Sequence, residues 1–170
     1  MKPPALDLHW QLLPYQPQRS KHPLHFDIAF PIDEIRFKDY PVPNRPLTSA
    51  DLDKPAANDK MTKMVIQFKN FPDWEIFIKR DEGIRCRDVF ESIYSNFNIP
   101  LTPLEERTLI HPANRKLCEE AFRLRCKLAA GLTVVEKSLG FKRVDVLLHS
   151  TLFKGLTQPK SGGDWVLNLG

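Results

Sequence analysis

Fifteen prolines against seven glycines constrain this 170-residue chain more than any other feature of its sequence. Proline fixes φ, removes a backbone donor, and pushes the residue before it out of the helical region. Most of the prolines lie ahead of residue 104, and they are densest before residue 47. The N-terminal third is therefore expected to be extended or irregular. Residues 1–24 read as an arm whose apolar patch, Leu6 to Leu13, docks onto a body spanning 25–170. Residues 38–62 carry four prolines and many small polar residues, and they read as a long irregular crossing loop.

Strand signals flank this loop. Phe26, Ile28 and Phe30 alternate with Asp27 and Ala29, a short strand stopped by Pro31. MVIQFK (64–69) and WEIFIK (74–79) alternate more strongly and are separated by Asn70-Phe71-Pro72-Asp73, which predicts a β-hairpin with a four-residue turn. Ile66 and Phe68 share one face, as do Trp74, Ile76 and Ile78. Phe77 interrupts the other face, so that side is expected to be partly covered as well. TLFKGL (151–156) and DWVLNL (164–169) flank a QPKSGG loop and predict a second hairpin.

Helical signals fill the middle. Val89, Phe90, Ile93, Tyr94 and Phe97 fill one arc of about 140° from a start near Arg87, the pattern of a helix lying on a sheet. Asn98 and Pro100 end it. Thr102-Pro103-Leu104-Glu105 is a capping box with proline at the first helical position, so a short helix should run to about Ile110. Pro112 opens a third helix that reaches Ala129 or Ala130, with Gly131 as its cap. Leu132–Leu139 is ambiguous, and VDVLL (144–148) fits a strand or a single turn. Strands near both ends with helices between them indicate a single α+β domain, an antiparallel sheet carrying two or three helices.

Composition narrows the function classes. No apolar run approaches the ~20 residues of a membrane span, and the first residues lack the apolar core of a secretory signal. Cys86, Cys118 and Cys126 are odd in number and contain no CxxC pair, which fits reduced thiols in the cytoplasm or nucleus. The net charge of +4 is a mild excess.

LHFDIAFP (24–31), WEIFIK (74–79), IRCRDVFESIY (84–94), PLTPLEE (100–106), RVDVL (143–147), LFKGL (152–156) and WVLNL (165–169) together resemble an uncharacterised family of fungal, mainly basidiomycete, domains of unknown function. Similar sequences tend to place a threonine where Arg85 stands. The resemblance implies a fungal source and one compact domain, and it carries no activity, ligand or catalytic residue.

Several constellations bear on function. In the third helix Leu117, Ala121, Leu124 and Leu128 form an apolar stripe, widened by Cys118 and Phe122 to roughly 160°. Arg125 falls inside that arc, and a guanidinium directed into a core needs a partner. Asp145 is the favoured carboxylate and Asp88 the second, and the pair would serve as a brace or would line a ligand site. If VDVLL is a strand with its valines inward, Asp145 points away and the pairing fails.

From 107 to 143 nine basic residues face three acids, a balance of +6. Arg115, Lys116, Arg123, Lys127, Lys142 and Arg143 are the candidate nucleic-acid contacts. Opposed to that reading are i,i+4 charge pairs and the lack of interleaved aromatics. Catalysis has thin support: Cys118, with His111 seven residues away, sits on the apolar arc where a buried, inert thiol is expected, and Asp145 with His149 has no accompanying nucleophile. His22 and His25 lack further metal ligands, and no cofactor motif is present. Phe71 and Pro72 at the hairpin tip, with Tyr40 and Pro43 in the proline-rich loop, form a candidate protein-binding surface. A non-enzymatic protein-interaction module is thus the leading expectation, a nucleic-acid binder the alternative, and an enzyme with a pocket at Asp145 and His149 the third.

Overall fold

A computed structural model describes residues 6–18, 23–38, 45–160 and 162–170. Two hairpins make the frame. Strands β3 (Lys63–Gln67) and β4 (Ile76–Lys79) pair antiparallel, with Met64 opposite Ile78 and Ile66 opposite Ile76. Strands β5 (Phe153–Thr157) and β6 (Trp165–Leu169) form the second antiparallel pair. The hairpins join through a parallel pairing of β3 with β6, with Ile66 opposite Trp165, and the order is β4-β3-β6-β5. The sheet is therefore mixed rather than wholly antiparallel. A separate ribbon joins β1 (Leu24–His25) to β2 (Arg36–Phe37). Phe26 to Ile28, expected as a strand, contributes one bridge from Asp27 to Leu152, flanked by bonds from Phe153 N to Phe26 O and from Ile28 N to Thr151 O.

The first hairpin departs from a four-residue turn. Residues 68–75 connect its strands, and Pro72–Trp74 form a 3-10 turn. Phe68 and Trp74 leave the ladder so that both rings reach the core, where each meets Phe97 edge-on at 5.6 and 6.1 Å. Phe77 on β4 is 61% exposed, so the outer face is uncovered at that position, while Val65 and Val166 on the same face are half-buried.

One face of the sheet carries α2 (Cys86–Phe97). Val89, Phe90, Ile93 and Phe97 are fully buried, and Phe90 meets Phe26 and Phe153 edge-on at 5.3 and 5.6 Å. Such burial contributes roughly 1.5–3 kcal/mol per large apolar side chain. Arg85 holds the N-cap position without a hydroxyl. Asp88 accepts the Arg85 backbone N–H at 2.8 Å, and the Arg85 guanidinium wraps onto the same carboxylate at 2.9 and 3.1 Å.

Further helices follow in sequence. The long loop contains α1 (Ser49–Leu52), closed by a Thr48–Asp51 capping box. Helix α3 (Pro103–Leu109) starts on the expected Thr102–Glu105 box, and Glu105 also accepts from Trp74 Nε1 at 3.2 Å. A 3-10 turn at Pro112–Asn114 precedes α4 (Arg115–Leu128). Its C-cap is Ala129, in extended backbone at φ −61° and ψ 144°, so Gly131 does not cap it. The ambiguous stretch is α5 (Thr133–Ser138), and VDVL (144–147) belongs to a 3-10 segment, Arg143–Leu147, with Leu148 just beyond it.

Leu8 and Leu12 from the N-terminal segment belong to the core. That segment crosses β5 at Gly155, where φ is +97° and a Cβ would collide with the Leu13–Pro14 backbone. Both demands exclude a side chain there.

Candidate functional site: the outward face of α4

Helix α4 is turned about its axis from the expected orientation: the Arg125 and Cys118 side of the apolar arc faces inward and the leucine side does not. Its buried residues are Cys118, Arg125 and Cys126. The leucine stripe read as core faces out: Leu124 is 51% exposed, Leu128 55%, and Leu117 is exposed as well. The cause lies in what α4 packs against. Its inner side meets α5 and the 3-10 segment Arg143–Leu147 rather than the sheet. That connection buries little apolar surface, since α5 has no buried residue.

Arg125 ties the connection down. Its Nε and Nη2 donate to the two Asp145 carboxylate oxygens at 2.8 and 2.9 Å. Nη1 reaches Glu136 at 3.4 Å and Nη2 the Gly140 carbonyl at 3.3 Å. Asp145 also accepts the Lys142 N–H at 2.8 Å. Arg125 and Asp145 are 4% and 2% exposed. Burial opposes the Arg125 charge, the bonds to Asp145 outweigh it, and the guanidinium holds its proton more tightly than a free arginine. With its donors committed to internal acceptors, this pair is a brace and leaves little for a ligand anion. Because the 3-10 segment is not a strand, Asp145 turns inward beside Val144 and the pairing holds.

Beside the exposed row lies a groove of about 270 Å³. Ala121, Leu124 and Leu128 form one wall, and Phe30, Leu148 and Leu152 contribute to the rest, with Arg125 and Asp145 beneath. Leu148 has φ +58° and ψ −112°. It occupies the first central position of a turn closed by Ser150 N on Leu147 O at 3.1 Å, a position that favours glycine. A side chain there costs about 1–3 kcal/mol, and this one lines the groove. On the solvent side, helical geometry places Lys116, Arg123 and Lys127, with Glu120, within about 100° of Leu124.

The six basic candidates do not form one face. Arg115 bonds Glu106 at 3.1 Å and lies near Glu119 at 3.4 Å. Arg123 approaches Glu119 at 4.0 Å. Lys116 and Lys127 are exposed. Lys142 approaches Glu136 at 3.7 Å. Arg143 turns away to lie over Trp74 at 5.0 Å and donates to Asn96 at 2.8 Å.

At the hairpin tip Phe71 folds back, stacking on Trp74 with centroids 4.2 Å apart, so the loop presents Pro72 rather than Phe71 to solvent. Tyr40, Pro43 and His22 lie outside the described residues.

The thiols are placed for packing. Burial pushes Cys86 up to about 12 and raises Cys118 and Cys126. His111 caps the 3-10 turn before α4 by accepting from Ala113 N at 3.1 Å. His149 stands exposed at the groove rim, while the Asp145 oxygens serve Arg125 and Lys142. Among the described residues no cluster of three or more His, Cys, Asp or Glu is arranged to hold a metal, and no helix is long and apolar enough to cross a membrane.

Sequence reasoning missed Phe30, Leu148 and Leu152 as groove residues. The signal for the way α4 is turned was Arg125 within its apolar arc, which is buried as expected. No characterised protein and no solved structure matches the chain. A family model does match, over residues 24–164, and the chain therefore belongs to DUF6699, a family of unknown function.

Proposed function

We propose that this domain is a non-enzymatic protein-docking module that binds one partner segment along the groove beside α4. The observation that carries the reading is the outward leucine row of a helix whose arginine is buried. Exposed apolar rows with polar rims are the usual mark of a docking site. The row Leu117–Ala121–Leu124–Leu128 spans about three helical turns, roughly 16 Å, which suits an amphipathic helix of similar length laid into the groove. Lys116, Arg123 and Lys127 along the rim favour acidic residues on the partner's flank. A second copy of this chain would bring like charges together, which disfavours self-association here. Three buried, unpaired cysteines fit a reducing compartment.

Leu124→Glu combined with Leu128→Glu tests the surface. Proteins cross-linked to the wild-type domain in its source cells should be lost from this variant and kept by Phe71→Ala. Loss with Phe71→Ala alone would move the surface to the hairpin tip. Binding of RNA that falls steeply with salt and ignores the leucines would replace the reading with nucleic-acid recognition.

A further inference from the structure

We infer that the open edge of β4 accepts an extended peptide as a fifth strand, in the groove between β4 and α2. This site lies apart from α4 and stands or falls without it. Strand β4 is the end of the β4-β3-β6-β5 order. Residues of an antiparallel strand direct their backbone groups alternately toward and away from the neighbour. Arg80 N donates to Thr62 O at 2.9 Å, toward the β3 side, which assigns Ile78 and Ile76 to the same side. Phe77 and Lys79 therefore turn their N–H and C=O groups to the open edge. Among the described residues no turn, cap or loop backbone bonds to them.

Sheet edges are commonly closed by a bulge, a proline or a covering segment. The β3–β4 register runs without a shift, and β4 contains no proline. What lies beside it is a hollow of about 380 Å³, bounded by Phe77 to Arg80 on one side and by Asp88, Glu91, Ser92 and Ser95 of α2 on the other. A strand paired with a helix in this way has the shape of a peptide-accepting groove.

Alternation along the guest strand sets its chemistry. A residue opposite Phe77 points to the outer face, where the 61%-exposed ring needs an apolar neighbour. The next residue points toward α2 and meets Glu91 and Ser95, both exposed. Asp88 is already engaged by Arg85 and Arg80, whereas Glu91 makes no ion pair among the described residues. The fitting peptide thus places an aliphatic or aromatic residue next to a lysine or arginine. A second copy of β4 fits less well. A two-fold axis normal to the sheet would set α2 against α2 and bring the two Glu91 carboxylates together.

A library of random heptapeptides selected on the full chain tests the inference, followed by amide hydrogen exchange with the enriched peptide. Enriched sequences should pair an apolar residue with an adjacent basic one. The bound peptide should slow exchange of the Phe77 and Lys79 amides at least tenfold and leave Ile78 unchanged. Lys79→Pro removes an edge donor that β3 does not use, and it should weaken the peptide at least tenfold at unchanged Tm. Glu91→Lys leaves the strand intact and should weaken the basic peptide at least fivefold. No enrichment, protection on α4 in place of β4, or protected Phe77 and Lys79 amides in a concentration-dependent dimer of the free protein would each overturn it.

Discussion

Helices α2 and α4 have similar amphipathic sequences and opposite placements. In α2 the apolar arc lies on the sheet, and Val89, Phe90, Ile93 and Phe97 lose all contact with water. In α4 the leucines face solvent and an arginine is buried. The difference teaches that an apolar stripe marks a face seeking cover, not the source of that cover. The sheet supplies it for α2. Among the described residues α4 packs mainly on a helix with no buried residue, on a short 3-10 segment and on the turn that precedes it, and a polar brace ties it to the first two.

The largest effects should come from the buried contacts beneath the two helices. Phe90→Ala is expected to cost about 3–5 kcal/mol, read from urea midpoints. Arg125→Met should cost a similar ~3–5 kcal/mol, because it strands the buried Asp145 carboxylate. The two losses differ in how they are repaired. Adding Asp145→Leu to Arg125→Met should recover most of the stability, while no single second change restores Phe90→Ala. Failure of that double variant to recover would show that α4 is held by packing, as α2 is.

Next in size is the α2 cap. Burial alone would raise the Asp88 carboxyl, but the bonds and charge of Arg85, with Arg80 behind them, outweigh it and hold the group below the ordinary carboxylate range. A depressed folded value means its stabilisation is complete above the unfolded value of about 3.9 and is lost as pH falls through the folded one. Asp88→Ala should cost about 1 kcal/mol at pH 7 and flatten the decline of stability below about pH 4. Helix α4 begins with Arg115 and Lys116 and no side-chain cap, so it has no equivalent loss to suffer.

Smaller again is Leu148→Gly. Relief of its backbone strain should leave stability unchanged or raise it by up to about 1 kcal/mol. Partner binding along the groove should weaken, and the opposing signs separate a docking role from a packing one. The smallest change in stability belongs to Leu124→Glu with Leu128→Glu, within about 0.5 kcal/mol per site by thermal unfolding. A loss of several kcal/mol would mean that the row is core after all.

What was legible in the sequence was local. The α2 arc, the Thr102–Glu105 box and both hairpins depend on residues close in the chain, and all formed. The parallel β3–β6 junction was not legible, because its partners lie far apart and neither strand's pattern names its neighbour. The turn of the first hairpin was misread because Phe68 and Trp74 continue the alternation while leaving the ladder. Gly131 looked like a cap, but the chain had already turned extended at Ala129. At the candidate site Arg125 was the visible clue and Asp145 its correctly favoured partner. The groove walls were invisible, since Phe30, Leu148 and Leu152 meet only through the fold, and no residue preference announces a positive φ at a leucine.

Strand β6 is an inner strand, flanked by β3 on one side and β5 on the other. Gln67 must wait for Asp164, 97 positions later, before its end of β3 gains that neighbour. On the ribosome the first hairpin therefore emerges with both edges bare, and the sheet closes only when Trp165–Leu169 has cleared the exit tunnel. Nascent chains of this protein accordingly have a long interval in which the β3 edge is open to other strands, the kind of exposure that makes an unfinished sheet prone to wrong pairing.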